Sequence, residues 1–265
     1  MGRLQIVWFV SIMMLALPSW ANKQTTIYVG GYHFSPYVNV KSYGDYSGLS
    51  IDLIAALNRV QNKYHFVFVS TSASHRHAAY ARGRFQMMLF EDLSWGWQNF
   101  DVKAVPLNFD DGEVYITQNV PDRGQSYFDN IDGKTLTLVA GYHYQLVNFE
   151  TDKASLDQQY QTVFVNNNQA SIAAITRQRA DIAPITWSYL QYHLKLWPEK
   201  RKQLLISQKW DQKYRHMAIL HPNAKITAEE LNDYLNTLRE SGRFAELAHH
   251  YGITLLDHNY GLISE

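Results

Sequence analysis

Residues 25–90 read TTIYVGGYHFSPYVNVKSYGDYSGLSIDLIAALNRVQNKYHFVFVSTSASHRHAAYARGRFQMMLF, and their punctuation decides the fold. Ile27-Tyr28-Val29 is a short apolar run stopped by Gly30-Gly31, the pattern of a buried strand. Behind Gly48 and Ser50, Leu53, Ile54, Leu57 and Val60 recur at helical spacing. Residues 66–69 repeat the strand signal, 75–82 read as a helix ended by Gly83, and 86–90 read as a third strand. A βαβαβ order favours a parallel sheet with helices on both faces.

Outward from this unit the same grammar returns. Residues 135–139 predict a strand ending at Gly141, 161–165 another, 170–178 a helix and 181–185 a third strand. Two such units predict an α/β chain of two doubly wound βαβ lobes. The end of the chain adds a strand over 216–220, a helix announced by Thr227 with Glu230 three residues on, and a helix over 243–250 before Gly252. No Pro, Gly or Ser-rich linker separates the halves. Lobes without a linker share strands across a hinge, so crossings are expected near 112–115 and 210–214.

Residues 1–21 have the layout of a secretory signal: Arg3, an apolar run from Leu4 to Leu17, and small residues at Ser19 and Ala21. Cleavage is expected after Ala21. The apolar run is shorter than the roughly 20 residues that cross a bilayer. The 265 residues contain no Cys, which removes a disulfide framework and predicts no lipid anchor on an amino-terminal Cys. The expectation is a free exported protein, in the periplasm of a cell with two membranes. Taking Arg3 alone from 24 basic and 24 acidic side chains leaves the mature chain close to neutral. That balance argues against nucleic acid or an anionic membrane as partner. Aromatic residues make up 14% of the chain, enough for both a core and a stacking pocket.

Several short stretches, in order and spacing, carry a family resemblance. They are Val29-Gly30, Ser35-Pro36-Tyr37, Gly48-Leu49-Ser50-Ile51-Asp52-Leu53, Arg82-Gly83-Arg84-Phe85, Ile131-Asp132-Gly133-Lys134, Arg179-Ala180-Asp181 and Leu238-Arg239-Glu240-Ser241-Gly242-Arg243-Phe244. Through them the chain resembles, over nearly all its mature length, the extracellular solute-binding proteins of the amino-acid-transport family, which have the type II periplasmic-binding-protein fold. The resemblance implies one lobe of residues 25–113 plus 212–265 and a second of 114–211, joined by hinge strands. It also implies a ligand at the carboxyl ends of the strands and closure by hinge motion.

Where family members grip an α-carboxylate with an Arg, this chain reads Phe90-Glu91-Asp92-Leu93-Ser94-Trp95-Gly96-Trp97-Gln98. Where they meet the ammonium with an Asp, it reads Ile185-Thr186-Trp187. Neither Trp nor Gln reproduces the bidentate fork of Arg, so a standard α-amino acid is not the expected ligand. Arg76 offers a replacement fork, or else a solvated helix charge. Glu91, at a strand end beside Trp95 and Trp97, reads either as a cation site or as core with Trp97 filling it. Tyr142, His143 and Tyr144 follow the strand at 135–139, where the resemblance implies a helix start facing ligand anions; lobe packing is the alternative. By resemblance Tyr37 matches a stacking aromatic, with Phe34 beside it.

The 11 His residues include His75 with His77 and the pair His249-His250, none with metal-ligand spacing, so no metal and no cofactor is expected. No nucleophile elbow, phosphate loop or convincing carboxylate pair occurs, which argues against an enzyme. The expected role is capture of a small molecule by a monomer that delivers it to an ABC-type importer permease of the inner membrane. The alternatives are presentation to a sensor or chemoreceptor, and a dehydratase-like enzyme on the same scaffold.

Overall fold

The computed structural model describes residues 24–255. The expected signal at 1–21 and its cleavage site lie outside the described residues. From the amino-terminal side the elements are β1 (Thr25–Gly31), a hairpin of β2 (Asn39–Ser42) and β3 (Asp45–Ser47), α1 (Leu49–Val60), β4 (Tyr64–Ser70), α2 (Arg76–Ala81) and β5 (Met87–Glu91). The long strand β6 (Lys103–Gln118) leads to β7 (Thr135–Val139), α3 (Lys153–Gln159), β8 (Gln161–Val165), α4 (Asn168–Thr176), β9 (Ala183–Thr186) and α5 (Trp187–Leu196). A second long strand, β10 (Leu204–Leu220), returns to α6 (Ala228–Glu240), α7 (Arg243–Tyr251) and β11 (Thr254–Leu255).

Strand β1 pairs in parallel with β4 and β5, as the βαβαβ reading expects. The sheet is nevertheless mixed. Strand β10 lies antiparallel to β5 and to β6 along most of its length, and gives the order β11-β6-β10-β5-β1-β4. Strand β9 pairs antiparallel with residues 113–116 of β6, on the edge that β11 occupies at 109–110. In the second lobe β7 and β8 pair in parallel, and Leu136 bridges to Ile182 just before β9. Residues 112–115 and 210–214, the expected crossings, therefore lie inside β6 and β10, which serve both lobes. The first half of β6 alternates, with Val105, Leu107 and Phe109 buried between more exposed neighbours, but from Asp111 to Thr117 every residue is buried and the period that would mark the strand's full length is lost.

Helix α1 shows how local chemistry positions the site. Leu49, Leu53 and Leu57 are buried at four-residue spacing, and Asn58 clamps β4 by donating to the Phe66 carbonyl at 2.9 Å and accepting from the Phe66 N–H at 2.8 Å. Gly48 precedes the helix at φ +119°, and a Cβ there would stand 2.6 Å from the Tyr37 carbonyl. Only glycine permits that approach, through which Leu49 and Ser50 donate to the Pro36 and Tyr37 carbonyls. The segment carrying Phe34 and Tyr37 is thereby fixed against α1. One apolar cluster runs from β1 and α1 through Phe34, Trp95, Tyr142 and Tyr144 to β7, and a smaller one fills the second lobe around Ile116, Ile175 and Ile185.

Candidate functional site

The lobes meet over a cavity of about 10 Å3, lined by Tyr32, Phe34, Arg76 and Trp95 from the first lobe, Glu113 from β6, and Tyr142 and His143 from the second. A volume of that size holds about one water-sized group. The rings surround it at mixed angles: Phe34 lies edge-on to Trp95 at 5.8 Å and to Tyr142 at 5.5 Å, and stacks on Tyr32 at 5.9 Å. Such edge-to-face pairs fix ring orientation as well as burying area.

Arg76 spans the lobe boundary. Its Nε donates to Glu91 at 3.2 Å, one Nη to the carbonyls of Ala73 and Gly141 at 2.6 and 3.0 Å, and the other Nη to the Trp95 carbonyl and to His143 Nδ1 at 3.2 and 3.0 Å. A guanidinium has five N–H groups, so every one is engaged. The residue is 1% exposed. It is neither a solvated helix charge nor a free fork. Because Arg76 only donates, His143 Nδ1 must be the acceptor and the ring proton sits on Nε2. Burial and the neighbouring guanidinium push the His143 pKa down to about 2.

Glu91 is engaged through one oxygen: Oε2 takes both of its hydrogen bonds, and Oε1 is buried without a partner. Besides Arg76 it accepts from Trp97 Nε1 at 2.7 Å, and it is 1% exposed. Burial holds its carboxyl above the usual range, opposed first by the Arg76 charge. A bulge precedes it: between the pairs Met88–Ile219 and Glu91–Met217, β5 carries one more residue than β10, with Phe90 at φ +58°. Every residue of β5 is buried, Glu91 included, while Asp92 just beyond the strand turns outward and accepts from the Ser94 and Arg215 backbones at 2.9 and 2.7 Å.

Of the candidates named by sequence, Phe34, Arg76, Trp95, Tyr142 and His143 line the cavity. Glu91 and Trp97 stand behind it. Tyr37 is buried with its hydroxyl donating to Asp111 at 2.6 Å, and its ring packs on Phe90 at 4.7 Å. Tyr144 is buried in the second lobe, where its hydroxyl accepts from the Val139 N–H at 3.3 Å. Thr186 accepts from Asn168 at 2.9 Å, and Trp187 packs on Trp210 at 5.6 Å. These seven candidates, Tyr37, Phe90, Glu91, Trp97, Tyr144, Thr186 and Trp187, do not reach the cavity wall. The expected helix after Gly141 is also absent: a single 3-10 turn spans Gln145–Val147, and the N–H groups of Gln145 and Leu146 point at Asp211, 3.0 and 2.7 Å away. Asp211 on the hinge strand occupies the anion position that the resemblance implied for a ligand.

Tyr32 and Glu113 escaped the sequence reading. Tyr32 directly follows Gly31 at the end of β1, a strand-end signal that would have found it. Glu113 sits mid-strand among residues read only as a hinge. It is 2% exposed, and Gln212 Nε2 donates to it at 2.6 Å. The same Gln212 accepts from Trp95 Nε1 at 3.0 Å and donates to the His143 carbonyl. Burial, then the nearby Asp211 carboxylate, pushes the Glu113 carboxyl well above the usual range.

The lobes are held together by further direct contacts. Tyr142 donates to the His33 carbonyl at 2.9 Å, and Ser188 donates to Asp111 through its N–H at 3.1 Å and its hydroxyl at 2.6 Å. Burial raises the Asp111 pKa to about 6, against the pull of the Ser188 and Tyr37 hydroxyls.

No protein-family model matches the chain, and no curated protein matches it. Solved structures do. The substrate-binding protein of an amino-acid ABC transporter is 16% identical, covers 85% of this chain and 98% of its own, and superposes with a TM-score of 0.64. A histidine kinase sensor domain with similarity to periplasmic binding proteins is 13% identical, covers 89% and 99%, and has a TM-score of 0.68. The ancestral amino-acid-binding protein AncCDT-1, a precursor of cyclohexadienyl dehydratase, is 16% identical, covers 85% and 94%, and has a TM-score of 0.64. The chain thus carries the type II periplasmic-binding fold, the two-lobed scaffold of amino-acid substrate-binding proteins.

Proposed function

We propose that the protein captures a small molecule between its lobes and delivers it to an ABC-type importer of the inner membrane. The observation that carries the reading is the cavity itself, whose walls come from both lobes and from the shared strand β6. Such a site is complete only when the lobes close, which couples occupancy to shape. The lobes would comprise residues 25–113 plus 212–265 and 114–211, with β6 and β10 as hinge. Export to the periplasm follows from the reading of residues 1–21, and the mature chain would act as a monomer beginning at Asn22.

A standard α-amino acid is a poor fit to this site. Arg76 has no N–H left for a carboxylate, and Thr186 is buried against Asn168. The walls offer positioned hydrogen bonds and rings without a nucleophile activated by a base, which supports capture over catalysis. The sensor domain among the similar structures supports a second reading, presentation of the ligand to a membrane receptor. Native mass spectrometry of protein purified from its own cells tests capture. A retained small molecule that raises the melting temperature on re-addition is the expected result; a protein with none retained, and no stabilisation by any solute of its medium, overturns it.

A further inference from the structure

The balance of charge around the cavity selects among ligands. Arg76 and Glu91 compensate each other. Glu113 has no such partner: the ion pairs among the described residues are Lys63–Glu230, Arg76–Glu91 and Arg243–Glu246. Two buried carboxylates, Asp211 and Asp111, act on Glu113, and the cation on the same cavity wall, Arg76, is already paired with Glu91. A buried carboxylate without a counter-charge is costly. The hydrogen bond from Gln212 satisfies one oxygen and supplies no positive charge.

The cavity that Glu113 lines is walled by the rings of Tyr32, Phe34, Trp95 and Tyr142. Ring faces attract cations within about 6 Å, more strongly when desolvated. The cationic group already present shows the preference, since the Arg76 guanidinium lies over the Tyr32 ring at 5.2 Å. An anion meets the opposite: no free N–H on Arg76, a neutral His143 and an uncompensated carboxylate. A metal ion is disfavoured too, because no group of three or more His, Cys, Asp or Glu among the described residues could hold one. The cavity of about 10 Å3 suits a head group the size of water.

Building on the capture reading, we propose that the site takes the ammonium head of a small organic amine lacking a carboxylate, with Glu113 as its counter-ion and the four rings as its cage. The rest of the amine lies toward the mouth of the cleft, and closure places the head against Glu113. Charge neutrality in the closed cleft is then completed by the ligand.

The test uses three probes on one carbon skeleton, n-butylammonium, butanoate and 4-aminobutanoate, with wild type, Glu113→Gln and Trp95→Phe. Melting temperature, calorimetry and small-angle scattering are read for each. Butylammonium is expected to stabilise and compact the wild type, and butanoate to do neither. Glu113→Gln should weaken butylammonium binding ten-fold or more while leaving the ligand-free protein about as stable as wild type, since burial already drives the carboxyl toward its neutral form there. A merely structural Glu113 would lower both. Trp95→Phe keeps a ring and should cost only a few-fold. Compaction by butanoate or 4-aminobutanoate without butylammonium sinks the amine proposal and leaves capture standing. Absence of binding by all three at millimolar concentration also sinks it, and capture then rests on the mass-spectrometric result alone. Unchanged butylammonium affinity in Glu113→Gln overturns the role of Glu113.

Discussion

Gly141 is the residue at which lobe closure is most exposed to a single atom. It has φ +80°, and a Cβ added to it would lie 2.5 Å from the Ser74 backbone nitrogen and 2.8 Å from the Ala73 carbonyl carbon of the facing lobe. Gly141→Ala therefore combines a left-handed backbone that disfavours a side chain with a wedge between the lobes. The expected outcome is a larger ligand-free radius of gyration by scattering and at least ten-fold weaker ligand binding; an unchanged radius would show that the lobes are parted in solution anyway. Arg76, whose carbonyl partners include Gly141, makes the complementary case. Arg76→Met keeps the apolar stem but leaves Glu91 buried without its cation, and breaking a buried pair costs about 3 to 5 kcal/mol. Urea unfolding of this variant should show a loss of that order, and a loss below about 1 kcal/mol would mean that Glu91 takes up a proton at little cost. Both residues were visible in the sequence, Gly141 as a strand stop and Arg76 as a possible fork. That Arg76 would spend all five donors within the protein was not, because its partners lie at positions 73, 91, 95, 141 and 143.

At the scale of elements, the structure separates parts that need only local sequence from parts that need the sheet. Helix α6 starts as its sequence reads: Thr227 accepts from the Glu230 N–H and Glu230 accepts from the Thr227 N–H, each at 3.1 Å. Thr227→Ala should cost about 1 kcal/mol, a fall of about 2 to 4 °C in melting temperature for a chain of this size, with ligand affinity unchanged. A change in affinity would show that α6 communicates with the cleft. The second lobe uses a different device. Asp111 on β6 receives the amino-terminal turn of α5 through Ser188, and Asp211 on β10 receives the 3-10 turn at Gln145–Val147. A carboxylate satisfies the free N–H groups of a helical start as a cap does. Here each comes from a hinge strand, about 65 to 77 residues away in sequence. No capping motif in 141–147 or 186–188 reveals it. The expected helix after Gly141 failed for this reason: the segment is shaped by Asp211, and its own residues supply no helical period.

For the whole molecule, His143 is half-buried where the lobes meet, and desolvation with the Arg76 charge pushes its pKa down to about 2, while an unfolded His titrates near 6.5. A depressed His pKa contributes stability that is complete above the unfolded value and is lost as pH falls below it, because the unfolded chain then binds a proton that the native ring refuses. Between pH 7 and 5 the loss is about 2 kcal/mol for this one group. The raised carboxyls have the opposite sign, so the contrast is with His143→Gln: the stability of wild type relative to this variant should fall by about that amount over the window, and parallel curves would contradict the half-buried neutral ring. Scattering across the same range should show whether acid parts the lobes before it unfolds them. The lobes themselves were legible from the chain alone, because strand and helix periods are written in neighbouring residues and glycines such as Gly31 and Gly141 mark where they stop. The positions of aromatic residues at strand ends picked out Trp95 and Tyr142, and the resemblance picked out Tyr37 with Phe34 beside it; of these Trp95, Tyr142 and Phe34 line the cavity, while Tyr37 packs behind it on Phe90. Which acid faces the cavity was decided by tertiary structure. Glu91, at the end of a strand buried on both faces, was claimed by Arg76, while Glu113 was brought to the wall by a strand that passes through both lobes. Burial and pairing of a charge depend on partners distant in the chain, and no local pattern encodes them.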